Sequence, residues 1–586
     1  MRKLVAVLAL CCIAAPAVAA PSAAEALEAF FAAEWERTLA ENPTWASSLG
    51  DRRFNDRWPD LSVEAVEARH AADVAALARL EAIDPGALPP QARLSHEMYR
   101  KELRSSLDHY RYRRYLVPLN QRGGPHTAYE TAERLRFATV QDYEDWIARM
   151  EAFGAYADQA IALLDAGVKA GVVHPRVISA RIADQISAQA ATKSADSPWL
   201  APFGRMPDTV PAEAAAKLRA RGEAAVASVI RPAYERFDAF FRGTYLPGAR
   251  DTVGIWDQPD GLAYYASRAR HFTTTGLTPE QIHDIGLAEV ARIRAEMEAI
   301  REQVGFEGDL QAFFEHLRTD PRFYYDTPEA LFEAYLATSK RVDPELVKLF
   351  GRMPRMPYGV RPIPDAIAPD TTTAYYSRPA ADGSRAGYYY VNLYRPEVRP
   401  KYEIEALTIH EAVPGHHFQI ALAMEIDGLP AFRRYGGVTA FVEGWALYAE
   451  SLGPELGMYT DPYSKFGQLT YEMWRAVRLV VDTGIHAMRW DRQKAIDYFK
   501  ANAAKTEADI VNEIDRYIAW PGQALAYKIG ELKIKELRAR ATDALGEDFD
   551  IRAFHDLVLS NGAIPLDSLE RLVDEWIAAG GSRAAS

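Results

Sequence analysis

Cysteine is almost absent: the 586 residues contain two, Cys11 and Cys12. Both lie in a leader with Arg2 and Lys3 at its start, the apolar run LVAVLALCCIAAPAVAA, and small residues at Ala17, Ala19 and Ala20. This pattern reads as a secretory signal peptide over residues 1–20, cut after Ala19 or Ala20, so the mature chain has no disulfide and no thiolate metal ligand. Pro16 interrupts the run, which is short for a bilayer span, and this argues against a retained anchor. The bulky Leu10 before Cys11 argues against lipid attachment. The expected product is exported, periplasmic or secreted, with no stable membrane insertion. No other apolar run is long enough to span a bilayer, and no repeat of 20 to 50 residues appears. An excess of basic residues is also lacking. Lys and Arg number 68 against 81 Asp and Glu, a formal charge of −13 that becomes −15 without Arg2 and Lys3. A general nucleic-acid role needs a basic footprint and is disfavoured.

The chain that remains reads as helical. Segment 278–303 opens Thr278-Pro279-Glu280-Gln281, a capping box with proline at the first helical position, and repeats Ile282, Ile285, Val290, Ile293, Met297 and Ile300 near a 3.6 period. Segments 24–41, 62–83, 92–111, 141–168, 212–241, 329–350, 465–490 and 522–541 are similar and rich in strong helix formers. No linker divides the chain cleanly. The interval 190–212 reads as an internal loop or lid edge, and 353–370, with five prolines, as an ordered non-helical crossing. Between Thr371 and Tyr394, two aromatic and β-branched runs flank Ala381-Asp382-Gly383-Ser384, which predicts an antiparallel hairpin close before His410. Its edge could accept an extended peptide by strand addition, with Tyr390 and Asn392 in contact; the equal alternative is a small structural sheet that packs its tyrosines against helices.

The run His410-Glu411-Ala412-Val413-Pro414-Gly415-His416-His417 puts three imidazoles and a carboxylate into eight residues. Zinc peptidases often carry two histidines four apart on one helix face, with the intervening glutamate as general base. Here position i+4 is Pro414, which has no N–H for the carbonyl of His410 and disfavours helical geometry at Val413. On an unbroken helix His417 would lie on the face of His410 but about 10 Å farther along, too far to share an ion. The helix must bulge at Pro414-Gly415, with glycine taking whatever angles re-entry needs. Either His416 or His417 then returns to the i+4 place; His416 is preferred and His417 is the alternate. The competing reading is a helix-breaking turn whose histidines do nothing chemical.

Two imidazoles require a third protein ligand and an open position for water. In AFVEGWALYAE, Glu443 sits among bulky apolar neighbours, where a carboxylate needs a partner. It is the expected ligand, with Glu450 orienting an imidazole from behind. Glu411, next to His410, would face the attacking water and take its proton. An oxyanion stabiliser is still needed. Arg475, Arg478, Asp482 and His486 follow one another at spacings of 3, 4 and 4 along one helix stripe. His486 is expected to bond the oxyanion, and Arg475 or Arg478 to hold a substrate carboxylate; an internal ladder from Arg478 to Asp482 is the alternative. Pro521-Gly522 opens another helix that presents Gln523 and Tyr527 at i and i+4, and the Tyr527 phenol can donate to an oxyanion without being charged.

Four motifs, His-Glu-x-x-Pro-Gly-His-His from His410, Phe-x-Glu-Gly-Trp-Ala-Leu-Tyr from Phe441, Arg-Leu-Val-Val-Asp-Thr-Gly-Ile-His from Arg478 and Pro-Gly-Gln-Ala-x-x-Tyr-Lys-Ile-Gly from Pro521, together resemble the bacterial family filed as domain of unknown function 885. The resemblance covers nearly the whole mature chain and is strongest between His410 and Gly530. That family is in turn similar to the helical zinc peptidases of the thimet oligopeptidase, angiotensin-converting enzyme and thermostable carboxypeptidase groups. It implies a mainly α, two-lobed, zincin-like fold with a deep cleft, in which residues 251–586 form the catalytic part and 21–250 a cleft wall or lid. The shorter motif of those peptidases, His-Glu-x-Gly-His, aligns its Gly-His with Gly415-His416 and leaves two extra residues here. Their later glutamate ligand matches Glu443. The implied activity is zinc-dependent hydrolysis of short peptides in an enclosed channel, with one Zn2+ per chain held by His410, His416 and Glu443. Carboxypeptidase action is favoured through Arg475 or Arg478. The alternatives are a zinc hydrolase for another amide, such as an isopeptide or modified amino acid, and a non-catalytic peptide-binding protein with a degenerate site.

Overall fold

The computed structural model describes residues 21–365, 368, 372–380, 383 and 385–581; the expected signal peptide lies outside them, as do three of the four residues of the turn at 381–384. Every segment with helical periodicity contains a helix, with ends set by local chemistry. The Thr278 hydroxyl accepts from the Gln281 N–H at 3.3 Å and the Gln281 side chain accepts from the Thr278 N–H at 2.9 Å, so two otherwise unpaired donors open helix Pro279–Gln303. Helix Val140–Ala170 opens on a similar box at Thr139 and ends on Gly171 at φ 70°, a left-handed cap that glycine adopts without a Cβ clash. Helix Pro328–Val342 stops short of residue 350 because Pro344 cannot continue it, and Asp343–Lys348 tightens into 3-10 geometry. The run 212–241 is extended: π-helical Val226–Ile230 and Phe241–Tyr245 join and lengthen Ala212–Ala225 and Arg231–Phe240.

Three short strands, β1 (Tyr358–Pro362), β2 (Ala374–Ser377) and β3 (Gly387–Val391), form a sheet in the order β1-β3-β2. The expected hairpin is the antiparallel β2–β3 pair, with Tyr375 opposite Tyr390. The proline-rich interval adds β1 parallel to β3 on the other side. The sheet is therefore mixed rather than antiparallel, and β3 is its central strand. Pro362 is tolerated because β1 is an edge strand, where a missing donor leaves no neighbour unpaired.

One core joins Tyr389 and Val391 of β3 to Leu407 and Ile409, to Phe441, Trp445 and Tyr448, and to Leu94 and Met98 of helix Pro90–Arg111. A second joins Val290, Ile293 and Met297 to Met473, Val477 and Val480 of helix Pro462–His486. A third surrounds Trp146, which stacks on Trp199 at 5.3 Å between ring centroids. Trp199 lies in the 190–212 interval, so that stretch is a loop pinned by a fully buried indole rather than a free edge. No described helix is long and apolar enough to cross a membrane.

Helix Thr439–Ser451 crosses helix Ala526–Leu545 backbone to backbone. A Cβ at Gly530 would lie 1.9 Å from the carbonyl oxygen of Ala440, and one at Gly444 would lie 2.5 Å from Gly530 Cα. Backbone atoms cannot yield as a side-chain tip can. Gly530→Ala is therefore expected to destabilise the protein by about 1–3 kcal/mol, the range for overpacking. Gly243→Ala, whose Cβ meets nothing within 4 Å, serves as the control and should hold or raise the melting temperature. Equal melting of the two variants would show that the close crossing imposes no constraint.

Candidate metal centre

Helix Ile404–Glu411 is buried along its length and ends where its sequence meets Pro414. Its last regular bond runs from the Ala412 N–H to the Thr408 carbonyl at 2.9 Å. The backbone then turns out at Ala412 (φ −100°, ψ −102°) and passes through a cis Val413–Pro414 peptide. It returns with the Gly415 N–H on the Ile409 carbonyl at 3.0 Å, a six-residue step instead of four. A Cβ at Gly415 would lie 2.0 Å from the carbonyl oxygen of His410, so only glycine closes the loop this tightly. The Trp445 indole N–H donates to the Pro414 carbonyl at 2.7 Å and ties the loop to helix Thr439–Ser451. Helix His416–Met424 then begins.

The loop absorbs the two extra residues and brings His416 back to His410, with ring centroids 4.7 Å apart. Glu443 Oε2 lies 3.9 Å from His410 Nε2 and 3.5 Å from His416 Nε2. Among the described residues, one ligand atom from each of His410, His416 and Glu443 lies within 4.8 Å of the others. Zinc bonds of about 2.1 Å place tetrahedral ligand atoms about 3.4 Å apart, so this set of two imidazoles and a carboxylate could hold such an ion with a position left open. His417 does not join them. Its Nδ1 bonds the Tyr376 hydroxyl at 3.0 Å and its Nε2 the Met356 carbonyl at 3.1 Å. It fastens the motif to the loop before β1 and to β2, and the alternate ligand role is withdrawn.

His410 Nδ1 meets Glu450 Oε1 at 2.7 Å, which leaves Nε2 for the cluster. Burial, with the His416 and Arg475 cations nearby, keeps His410 far below the ordinary imidazole range, so its ring is neutral. Burial also works against charge on His416, but the Glu443 and Glu411 carboxylates more than reverse it and raise its pKa. Glu443 shows the reciprocal effect: burial opposes the carboxylate, yet His416 and His410 hold it down at about 2. Burial pushes Glu411 up to about 7 against the pull of His416 and Arg475. It pushes Glu450 up to about 8, with Arg475 Nη2 at 3.9 Å acting in the opposite direction.

The arginine stripe divides. Arg475 reaches Glu450, and Arg478 is held by helix Glu507–Ala519, with Nε on the Tyr517 hydroxyl and Nη2 on Glu513, both at 2.9 Å. The ladder to Asp482 does not form. Asp482 accepts instead from the Tyr265 hydroxyl at 2.6 Å and the Gly522 N–H at 3.1 Å. His486 is a correction: its Nδ1 accepts from the Ile255 N–H at 3.1 Å and its Nε2 donates to the Tyr517 carbonyl at 2.9 Å, so neither nitrogen is left for an oxyanion. Asn392 is a second correction. Fully buried beyond the end of β3, it bonds the Ala368 and Thr372 carbonyls and the Tyr394 N–H. Tyr390 stacks on Tyr375 at 4.9 Å on the less buried face of the sheet. Gln523 and Tyr527 both accept from Arg516 Nη2, at 2.7 and 3.2 Å, and the Arg478 guanidinium lies 4.3 Å over the Tyr527 ring. Arg475, Arg478 and Arg516 each keep one buried N–H without a partner. Arg516, Glu513 and Tyr517 escaped the sequence reading, although their i, i+3, i+4 spacing on one helix was a usable signal.

A cavity of about 930 Å³ is lined in part by helices Ala23–Glu41 and Pro90–Arg111, with Phe31, Trp35, Tyr99, Tyr264, Arg268 and Trp520 among its walls; none of His410, His416 and Glu443 lines it. A side pocket of about 210 Å³ shares Arg433, Gly436 and Gly437 with it and reaches Glu443.

Residues 43–573 match the family described as "Bacterial protein of unknown function (DUF885)". A crystal structure from Colwellia psychrerythraea, described as a candidate lipoprotein, aligns at TM-score 0.89 and 30% identity over 95% of this chain and 100% of that one. Another from Shewanella oneidensis, described as a candidate lipoprotein of unknown function, aligns at TM-score 0.70 and 19% identity over 94% and 100%. The latter likeness shows the fold alone. A structure of BsuCP aligns at TM-score 0.37 and 11% identity, too remote to carry an argument. No curated protein matches the chain.

Burial pushes Asp482 up to about 7 against the hydrogen bonds from Tyr265 and Gly522. The folded protein keeps a proton that the unfolded chain releases near pH 4, so stability falls as pH rises from about 4 to about 7, at roughly 1.4 kcal/mol per unit, and is level above. Urea unfolding of the wild type and Asp482→Asn across that range should show the difference between them changing in this direction. A constant difference would contradict a protonated buried carboxyl.

Proposed function

The chain belongs to the DUF885 family, and from that premise we propose that it is an exported zinc-dependent peptidase acting on short peptides. The observation that carries this reading is the convergence of His410 Nε2, His416 Nε2 and a Glu443 oxygen across a proline-interrupted helix, with Glu411 beside them. Export is supported by the leader's composition and by the lipoprotein description of the Colwellia protein, which is 30% identical. The acidic composition supports the absence of a nucleic-acid partner.

His410, His416 and Glu443 would hold the zinc, and Glu450 fixes the His410 ring so that its free nitrogen points inward. When bound, zinc supplies Lewis acidity, polarising a carbonyl oxygen and acidifying a water. Glu411 takes up the proton of the attacking water and delivers it to the departing nitrogen; its elevated affinity for protons suits both tasks. The Tyr527 hydroxyl accepts from Arg516 Nη2, which leaves its O–H free to donate to the developing oxyanion. Arg475 and Arg478, each with an unpartnered N–H, hold the terminal carboxylate of the peptide, which makes cleavage at the carboxyl end the favoured mode. The wide cavity, which adjoins the side pocket at Glu443, would take an extended chain.

Metal analysis of purified protein should find about one zinc per chain, absent in Glu443→Ala. Glu411→Gln should retain the ion and lose turnover by about 10²- to 10⁴-fold, the usual contribution of a general base. Undiminished activity in that variant would remove Glu411 from the mechanism. Peptides with a free carboxyl end should be cleaved faster than the same peptides capped as carboxamides, by mass spectrometry of timed digests. Equal rates would exclude the carboxypeptidase mode.

A further inference from the structure

The side pocket that reaches Glu443 is lined by the guanidinium-bearing residues Arg378, Arg433 and Arg434. None of the three forms a salt bridge or hydrogen bond with a carboxylate among the described residues. Arg378 Nη1 donates to the Tyr435 carbonyl at 3.1 Å, and Arg434 Nη2 to the Ile426 carbonyl at 3.1 Å. Arg433 is spread over Gln91, Ser95 and the Asn561 carbonyl, all neutral. The buried Nε–H groups of Arg433 and Arg434 have no partner. Gln419, 2% exposed, also lines the pocket and leaves its side-chain oxygen unpartnered. Helix Thr439–Ser451 begins here at Val438 with no side-chain cap, and Thr439 and Val442 of its first turn line the pocket. Burial lowers the proton affinity of Arg433, and no carboxylate works against it.

A buried cation without a counterion is costly, and most such groups are paired. Of the three that border this cavity, Arg433 is buried, Arg434 half-buried and Arg378 exposed at its rim. The only carboxylate in the lining is Glu443, already committed to the two histidines. A ligand carboxylate would supply the counter-charge that the buried Arg433 and the half-buried Arg434 lack among the described residues, and the volume of about 210 Å³ suits one side chain rather than a further length of peptide.

We propose that this pocket is a specificity site for a carboxylate side chain, so that the protein selects peptides with glutamate or aspartate next to the bond held at His410, His416 and Glu443. The inference rests on the peptidase reading only in taking the ligand to be a peptide. Arg378 and Arg434 supply donors for the carboxylate, as guanidinium groups commonly do, and the helix start adds a favourable dipole. The Arg475–Arg478 cluster, also beside the metal ligands, would engage a second carboxylate on the same peptide.

The test is a binding measurement that needs no turnover. Alanine pentapeptides carrying Glu or Gln at each position in turn are titrated into zinc-loaded full-length Glu411→Gln protein by calorimetry. One position should bind at least tenfold tighter with Glu than with Gln. That preference should shrink to within twofold in Arg378→Gln, which keeps the side chain's length and a donor for the Tyr435 carbonyl, and in Arg434→Ala. Arg378→Glu should favour Lys at the same position. No Glu preference at any position, or one that survives both neutral substitutions, overturns the proposal. A preference that is lost in Arg378→Gln although no peptide is ever cleaved upholds the pocket and removes the peptidase reading instead.

Discussion

Pro414 has no N–H to continue the hydrogen-bond ladder of helix Ile404–Glu411, and the placement of the central residues depends on how the chain meets that deficit. The backbone leaves the helix for four residues and resumes bonding at Gly415, from which the next helix starts. Because the loop takes up the two extra residues, His416 reaches His410 as it would from i+4 on a regular helix. Without the glycine, a Cβ against the His410 carbonyl would hold the two helical pieces apart. The distortion is thus local, and its effect is to restore a spacing that the residue count alone would forbid.

Around that turn the interior is dense in charge, and each group is kept by a specific neighbour. Lys528, fully buried, lies within 3.0 Å of Glu289, Glu472 and Glu531 and bonds the crossing of helices Pro279–Gln303, Pro462–His486 and Ala526–Leu545. The same long helix carries Arg475 to Glu450, Arg478 to Tyr517 and Asp482 to the turn before Gln523 and Tyr527. These side chains are spaced by helix geometry rather than by loops, which suits groups whose relative positions decide chemistry.

Much of this was legible in the sequence. Histidine and glutamate so close to a proline left few arrangements, and the burial expected around Glu443 followed from its apolar neighbours. His486 was misread because a stripe of eleven residue steps runs about 16 Å along a helix, so its far end lies away from Glu450 and enters the backbone packing at Ile255 and Tyr517. Asn392 was misread because alternation along β3 ceases at Val391, one residue earlier. Strand β1 was hidden by Pro357 and Pro362, which suppress a strand signal but are harmless on an edge. The cationic side pocket could not be read at all: Arg378 comes from the end of β2, Arg433 and Arg434 from a helix more than fifty residues later, and only folding places them on one cavity.

The bond from the Trp445 indole to the Pro414 carbonyl has one more implication. It clamps the turn that delivers His416 to the helix that delivers Glu443, two residues along from the tryptophan. The stretches that carry His416 and Glu443, distant in the chain, are thereby tied to one another by a bond that involves neither side chain. In the proposed zinc site an ion would meet ligands whose carriers are already joined, so its fit would depend on the dimensions that this bond helps to set.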